Sequence, residues 1–496
     1  AGAAAGPAAG AAAGPAAGAA AAGNTASRDA AAGDAAPHPA HRRRGPQALA
    51  GPIWKALVIF LIPLMLSNAL QSLSNTIGSV IIGRFLGVHD LAAMSAFFPV
   101  FFFLISFMIG IGSGSSVLIG QAFGAQKMDR LKAVAGTTLT FTFLVGFVLG
   151  MAGVAFTAPV LSAMGTPASV LAASIHFGRI MFASLPVLFV YAVYTTFLNG
   201  TGDSRTPFYF LVVSTVLGSL IGPALIFGWL GLPRLGLVGA AWGNLWSTLL
   251  TLALLILYLH VRRHPLRVDA QLVRNLRIDL GLLRTLLKIG IPTGVQMIMV
   301  TLSEIAIVSL VNRFGADATA AYGAYYQVAN YVQMPAVSIG IAASVFGSQI
   351  IGAGVFERLK PLLRAATLVN YAVGGVLVAL CYVFARDILA LFLTSRHTLD
   401  IAYELLMITL WSYLVFGNAA VLSGIMRSSG IVFWPTLLSI LAIWVIEIPV
   451  AFVLSGRIGI DGVWVGYCAG FVANLGLQYA YYRLVWRHKR LTRLIH

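Results

Sequence analysis

Apolar residues run through this chain in long blocks, interrupted by short clusters of Gly, Pro and charged residues. A helix that rises 1.5 Å per residue needs about 20 apolar residues to cross the hydrocarbon of a bilayer. Twelve blocks reach that length, at roughly residues 54–82, 91–121, 133–157, 169–198, 207–230, 236–260, 288–312, 318–350, 365–386, 401–424, 434–455 and 462–486. Several exceed the minimum, which predicts tilt or extension into water. The pattern therefore predicts an all-α polytopic membrane protein with twelve transmembrane helices.

Composition agrees with that reading. Of 496 residues, 59% are hydrophobic and 9% charged, with a mean hydropathy of +0.89. A soluble domain carries roughly 25% charged residues, so lipid must cover what charge does not. The net charge of +17 would suggest a nucleic-acid partner in a soluble protein. Here the charges sit in short connectors and form no continuous basic face, so no nucleic-acid partner is expected. Cys381 and Cys468 both lie in apolar runs, without metal or disulfide spacing. Residues 1–50, an Ala/Gly/Pro repeat ending near Arg42, Arg43 and Arg44, are expected to be a disordered tail with no signal-peptide core.

Lys and Arg set the orientation, because cytoplasmic loops retain positive charge. With the N-terminus inside, the inner segments hold 25 of these residues and the outer loops 6. Both termini are expected in the cytoplasm.

A shift of 228 residues lays the second half on the first. Gly87 falls on Gly315, Gln121 on Gln349, and Arg130-Leu131-Lys132 on Arg358-Leu359-Lys360, and over 87–132 the identities number 15 of 46 without a gap. Six spans per half is even, so the halves are two pseudo-symmetric six-helix bundles related by an axis along the membrane normal. Transporters use that symmetry to place a site between lobes. The expected lobes are 51–261 and 288–486, joined by a basic connector, 262–287, and followed by a basic tail, 487–496.

Three motifs carry a family resemblance. Ile82-Gly83-Arg84-Phe85-Leu86-Gly87 closes the first helix, and Ile119-Gly120-Gln121-Ala122-Phe123-Gly124-Ala125 closes the second. Asn199-Gly200-Thr201-Gly202-Asp203-Ser204-Arg205-Thr206-Pro207 follows the fourth, and Thr206-Pro207 there reads as a helix N-cap followed by proline at the first helical position. In order and spacing the chain resembles the multidrug and toxic compound extrusion (MATE) family over residues 54–486. The resemblance implies a cationic or amphipathic small organic cargo, antiport with protons or sodium, no other cofactor, a monomer, and the bacterial cytoplasmic (inner) membrane. The chain departs from the family where Gly78, Gly222, Val300 and Phe416 stand at or near positions that are acidic in other members, and Asn199 replaces the usual Arg.

Only Arg179, Glu304 and Glu447 are charged well inside the predicted spans. Such a group costs about 2.5–3.5 kcal/mol at a helix centre, which marks it as functional by default. Glu304 and Glu447 are expected at similar depth in the C-terminal lobe, as an ion-coupling pair. A carboxylate withdrawn from water holds a proton more readily, and a second one nearby adds to the effect. The same oxygens form an alternative sodium site. Arg179 is either their charge partner or a snorkelling anchor. Tyr322, Tyr326, Asn330 and Gln333 recur on one face of the eighth helix, flanked by Tyr325 and Gln327, and suit a wet cavity for a planar organic cation. Trp411 and Asn418 in the tenth helix are weaker candidates. The alternatives are polar packing between helices and, for the whole chain, a flippase for lipid-linked or polysaccharide intermediates. No HExxH, His/Asp cluster or Ser–His pairing in the spans suggests an enzyme.

Overall fold

In lipid every backbone N–H and C=O must find its partner within the segment, so apolar blocks of this length become helices. The computed structural model describes residues 51–231 and 233–495, all within one compact unit, and the expected tail at 1–50 lies outside the described residues. Among the described residues the chain is helix joined by short turns, with no strand.

The spans, each bent pair counted once, are α1 (Ile53–Leu86), α2 (His89–Gly124), α3 (Met128–Ala163), α4 (Ala168–Ala183 with Leu185–Gly200), α5 (Arg205–Phe227) and α6 (Leu237–Val261). The second half supplies α7 (Leu280–Phe314), α8 (Ala316–Ala353), α9 (Phe356–Val383), α10 (Arg396–Thr409 with Ser412–Ser428) and α11 (Phe433–Ile458). The twelfth, α12 (Asp461–Leu484), is 24 residues long. Nine of these are individually long and apolar enough to cross a membrane, and the two bent pairs bring the number to eleven. Tyr, Asn, Gln and seven Gly or Ala positions keep α12 less apolar, though its length suffices.

Local chemistry explains the boundaries. The Asp279 carboxylate accepts the N–H groups of Gly281 and Leu282, at 2.9 and 3.1 Å, so α7 starts at Leu280, ahead of the expected residue 288. At α5 the capping oxygen comes from Asp203, which accepts from the N–H groups of Arg205 and Thr206, each at 3.1 Å. Thr206 is therefore a helical residue rather than the N-cap, and Pro207 lies two steps further in than the motif suggested. Helices α4 and α10 bend by 50° and 45°, at Ser184 and at Leu410-Trp411, so the breaks fall within a residue or two of equivalent positions in the 228-residue repeat. The backbone repeats at turns too: Gly87 and Gly315 have φ of 96° and 99°, and Gly202 and Gly430 have 85° and 79°, a region that glycine enters without a Cβ clash.

Two lobes follow, with one exchange. The core of the first is built from α2 to α6 and also takes Leu286 and Ile289 of α7. Conversely Ile53, Leu57, Phe60 and Leu64 of α1 are buried with α8, α9 and α10. Each half thus begins with a helix whose first turns pack on the opposite lobe. Backbones touch where α2 meets α7: a Cβ on Gly110 would lie 2.8 Å from the N of Gly294, and one on Gly114 the same distance from the O of Leu286. Small residues at this spacing let spanning helices approach closely. The ends of α2 and α8, the connector after α6 and the segment after α12 all lie on the side that carries Ile53, called here the terminal side.

Candidate functional site

The second half of α7 and the first half of α8 border an open-sided cavity of about 320 Å³. Thr301, Glu304, Ile305 and Val308 reach it from α7, and Tyr322, Gly323 and Tyr326 from α8. The α-helical period accounts for the set: 301, 304, 305 and 308 form one stripe, and 322 and 326 lie one turn apart. Gly323 leaves open space between the two rings, since a Cβ there would meet nothing within 4 Å.

Glu304 is the one carboxylate lining this cavity, and the Tyr326 hydroxyl lies 3.5 Å from its Oε2. Tyr322 is held from behind. Its hydroxyl pairs with that of Tyr467 at 2.8 Å, and its ring stacks on Trp464, with centroids 5.9 Å apart and planes 7° from parallel. Trp464 is fully buried, so α12 supplies a rigid wall against which the Tyr322 ring is fixed. Tyr326 is 38% exposed, so part of its ring is open to a guest.

Glu447 does not line the cavity. It ends a π-helical turn, Ala442–Glu447, two residues before Pro449, and is 4% exposed. Its side chain is pressed against α12, where a Cβ on Gly470 would lie 2.5 Å from its Oε2. The two carboxylates remain within electrostatic reach of one another, in the same lobe as expected. The π turn widens α11 at that point, as such turns do at functional sites.

The remaining candidates separate. Tyr325 is 2% exposed and turned into the core of its lobe, where its hydroxyl pairs with that of Tyr413 at 3.1 Å. Gln327 is exposed, and Asn330 and Gln333 are half-buried, further along α8 than the cavity. Trp411 is 43% exposed at the bend of α10, its backbone N–H donated to the Tyr382 hydroxyl at 3.2 Å. Asn418 is buried and accepts from Asn370 Nδ2 at 3.2 Å, which ties α10 to α9. None of these side chains lines the cavity, and Tyr325 and Asn418 are tied into the packing of their lobe. Arg179 is exposed on α4 of the other lobe, and none of the ion pairs found among the described residues joins it to Glu304 or Glu447. It does not act as their partner in this state. Among the described residues no three His, Cys, Asp or Glu gather into a metal cluster.

Thr301, Trp464, Tyr467 and Tyr413 were not singled out from the sequence. Trp464 and Tyr467 stand three apart, hence on one face of α12. That spacing is a usable signal, but only the packing of α12 on α8 gives it meaning.

Comparison with known proteins follows the same halves. The MatE family pattern matches residues 63–224 and again 292–453. The probable multidrug resistance protein YoeA of Bacillus subtilis (strain 168) is 55% identical over 445 residues, covering 89% of this chain and 96% of its own length. The multidrug export protein MepA of Staphylococcus aureus (strain MRSA252) is 22% identical over 414 residues, covering 83% and 89%. A crystal structure of MATE in the bent conformation superposes with a TM-score of 0.81 at 21% identity, covering 89% of this chain and 97% of that one. That last likeness speaks for the fold alone.

Proposed function

The chain belongs to the MatE family, and from that premise we propose that it exports cationic or amphipathic small organic compounds in antiport with protons or sodium, by alternating access between its two lobes. It is a multi-pass membrane protein and a secondary transporter, not an enzyme. Homologues named as multidrug resistance and export proteins support drug efflux. The Lys and Arg asymmetry supports termini, and so a terminal side, in the cytoplasm of a bacterial inner membrane. The working unit is taken as a monomer.

One observation carries the site: Glu304 stands in a cavity walled by the Tyr322 and Tyr326 rings. A carboxylate between aromatic faces attracts a planar cation by charge and by the ring quadrupoles, and the apolar Ile305 and Val308 reward its hydrocarbon parts. Protons reaching Glu304 from outside neutralise it and release the cation. After reorientation the cytoplasm takes the proton, and Glu304 regains its charge for the next cation. Glu447 acts from behind, as a second proton store whose charge state bears on that of Glu304. In the sodium version the Thr301 and Tyr326 hydroxyls join Glu304 around the ion. A volume of about 320 Å³ suits one small organic cation and is small for a lipid-linked saccharide.

The test is uptake of a fluorescent organic cation into proteoliposomes under an imposed proton or sodium gradient. Glu304→Gln is expected to abolish gradient-driven uptake, and Glu447→Gln to slow it and shift its pH profile. Gradient-driven transport that is unchanged in both variants removes this site. Drive by sodium alone removes the proton version and leaves the site standing.

A further inference from the structure

On the terminal side the lobes are joined by a pair of amides that obey the internal repeat. Gln121 of α2 donates its amide N–H to the Ser428 carbonyl at the end of α10, at 2.9 Å. Gln349 of α8 donates to the Gly200 carbonyl at the end of α4, at 3.0 Å. Both glutamines are fully buried. Donors and acceptors are each 228 residues apart, so each lobe supplies one glutamine and one helix end to the other. Gly124 faces the Gln349 backbone and Gly352 the Gln121 backbone, with no room for a Cβ at either.

The side-chain oxygens break this symmetry. Gln121 Oε1 accepts the N–H of Leu494 at 2.8 Å, whereas Gln349 Oε1 is buried without a donor. Leu494 belongs to the segment after α12, which is anchored in both lobes. Trp486 donates its indole N–H to Ser429 Oγ at 3.0 Å and, with Leu491, joins the core that holds α8, α9 and α10. Ile495, 3% exposed, and Leu494 join the core of the first lobe. Leu266, at the corresponding register after α6, stays in the core of its own lobe. Only the C-terminal segment crosses.

We propose that Gln121 and Gln349 form the latch of the terminal-side closure, and that residues 491–495 are a strap that holds it shut by occupying Gln121. Opening toward that side must pull Gln121 from Ser428 and must also free one anchor of the strap, Leu494 and Ile495 from Gln121 and the first lobe or Trp486 and Leu491 from the second, which leaves the latch asymmetric. The strap thereby biases the transporter toward the state open on the opposite side, and its release sets the frequency of terminal-side opening. This deepens the transport reading, on which it rests in one respect: the lobes must part on the terminal side.

Ser348 reports on that event, being fully buried on α8 against Gly120 of α2. A Ser348→Cys reporter, in full-length protein with Cys381→Ala and Cys468→Ala, is treated with a membrane-impermeant maleimide applied to the terminal side of inside-out vesicles. Leu494→Pro removes the donated N–H and is expected to raise the labelling rate about fivefold, the population change that loss of one buried hydrogen bond brings. Leu494→Met keeps the N–H and is expected to label at the parent rate. Should Leu494→Pro aggregate, Ile495→Asp drives the strap from the first lobe with the same expected increase. Equal labelling of parent and strap variants overturns the strap. If none labels in the native state while all label after denaturation, the lobes do not part on this side, and the alternating-access reading falls with the strap.

Discussion

At the scale of single residues, the same chemistry has different consequences inside and outside the apolar layer. Tyr326 is half of the aromatic pair at Glu304, and a cation–π contact with a guest there contributes about 0.5–2 kcal/mol. Tyr326→Ala is therefore expected to weaken apparent affinity for an organic cation by about 2- to 30-fold, with little loss of maximal rate, as initial-rate transport in proteoliposomes would reveal. Outside the spans, Asp269 pairs with Lys132 and Arg267 and caps the short helix Ala270–Arg274. Burial pushes its carboxyl up, but the Lys132 ammonium, the Leu272 N–H and Arg267 outweigh that and hold it at about 2 instead of 3.8. A lowered folded-state value means that the stabilisation is complete above the unfolded value and disappears as pH falls through the folded one. Asp269→Asn should lower the melting temperature equally at pH 7 and pH 5, with the difference shrinking between pH 4 and pH 2. Thermal unfolding of detergent-solubilised protein across that range measures it. Glu304, Tyr322 and Tyr326 were legible because charge in an apolar run and a four-residue spacing are both written in the chain. Tyr325 misled for the opposite reason: it is a polar aromatic beside that stripe, and only the position of Tyr413 reveals that it faces the core.

At the scale of elements, close packing rather than apolarity decides which helices meet. Gly110 and Gly114 of α2 lie against Gly290 and Gly294 of α7 with backbone in contact. Gly110→Val forces apart two backbones that cannot yield, and overpacking of this kind costs about 1–3 kcal/mol. Gly375→Val is the control, since a Cβ there meets nothing within 4 Å. A lowered melting temperature for the first and an unchanged one for the second is the expected pair of results. Element positions were readable from apolar run length, because a bilayer imposes that length directly. The bends in α4 and α10 were not, although Pro186, two residues past Ser184, is a signal for the first; no proline stands at the second. The start of α7 was missed because hydropathy sees where lipid begins, whereas the Asp279 cap sets where the helix begins.

At the scale of the whole molecule, the 228-residue repeat proved the deepest signal in the sequence. It relates the turn glycines, the breaks near Ser184 and Ser412, and the Gln121 and Gln349 latch. It could not reveal that α1 and α7 each start on the opposite lobe, because exchanged and unexchanged packing bury the same residues. The exchange has a mechanical consequence. If the lobes part on the terminal side, the first turns of α1 must leave α8 and α9, or bend, and Pro63 and Pro292 stand inside α1 and α7 just beyond those turns. Motion about these prolines would let each helix keep its foot on one lobe while its body follows the other. A disulfide between Gly120→Cys and Ser348→Cys, with Cys381→Ala and Cys468→Ala, would pin α2 to α8 at the seam without touching the Glu304 cavity; a Cβ at Gly120 lies 3.1 Å from that of Ser348, close to the span a disulfide needs. Oxidation is expected to stop transport while leaving equilibrium binding of a fluorescent cation intact, and reduction to restore transport. Transport that continues through the oxidised bridge would mean that the cargo crosses without the lobes parting at this seam.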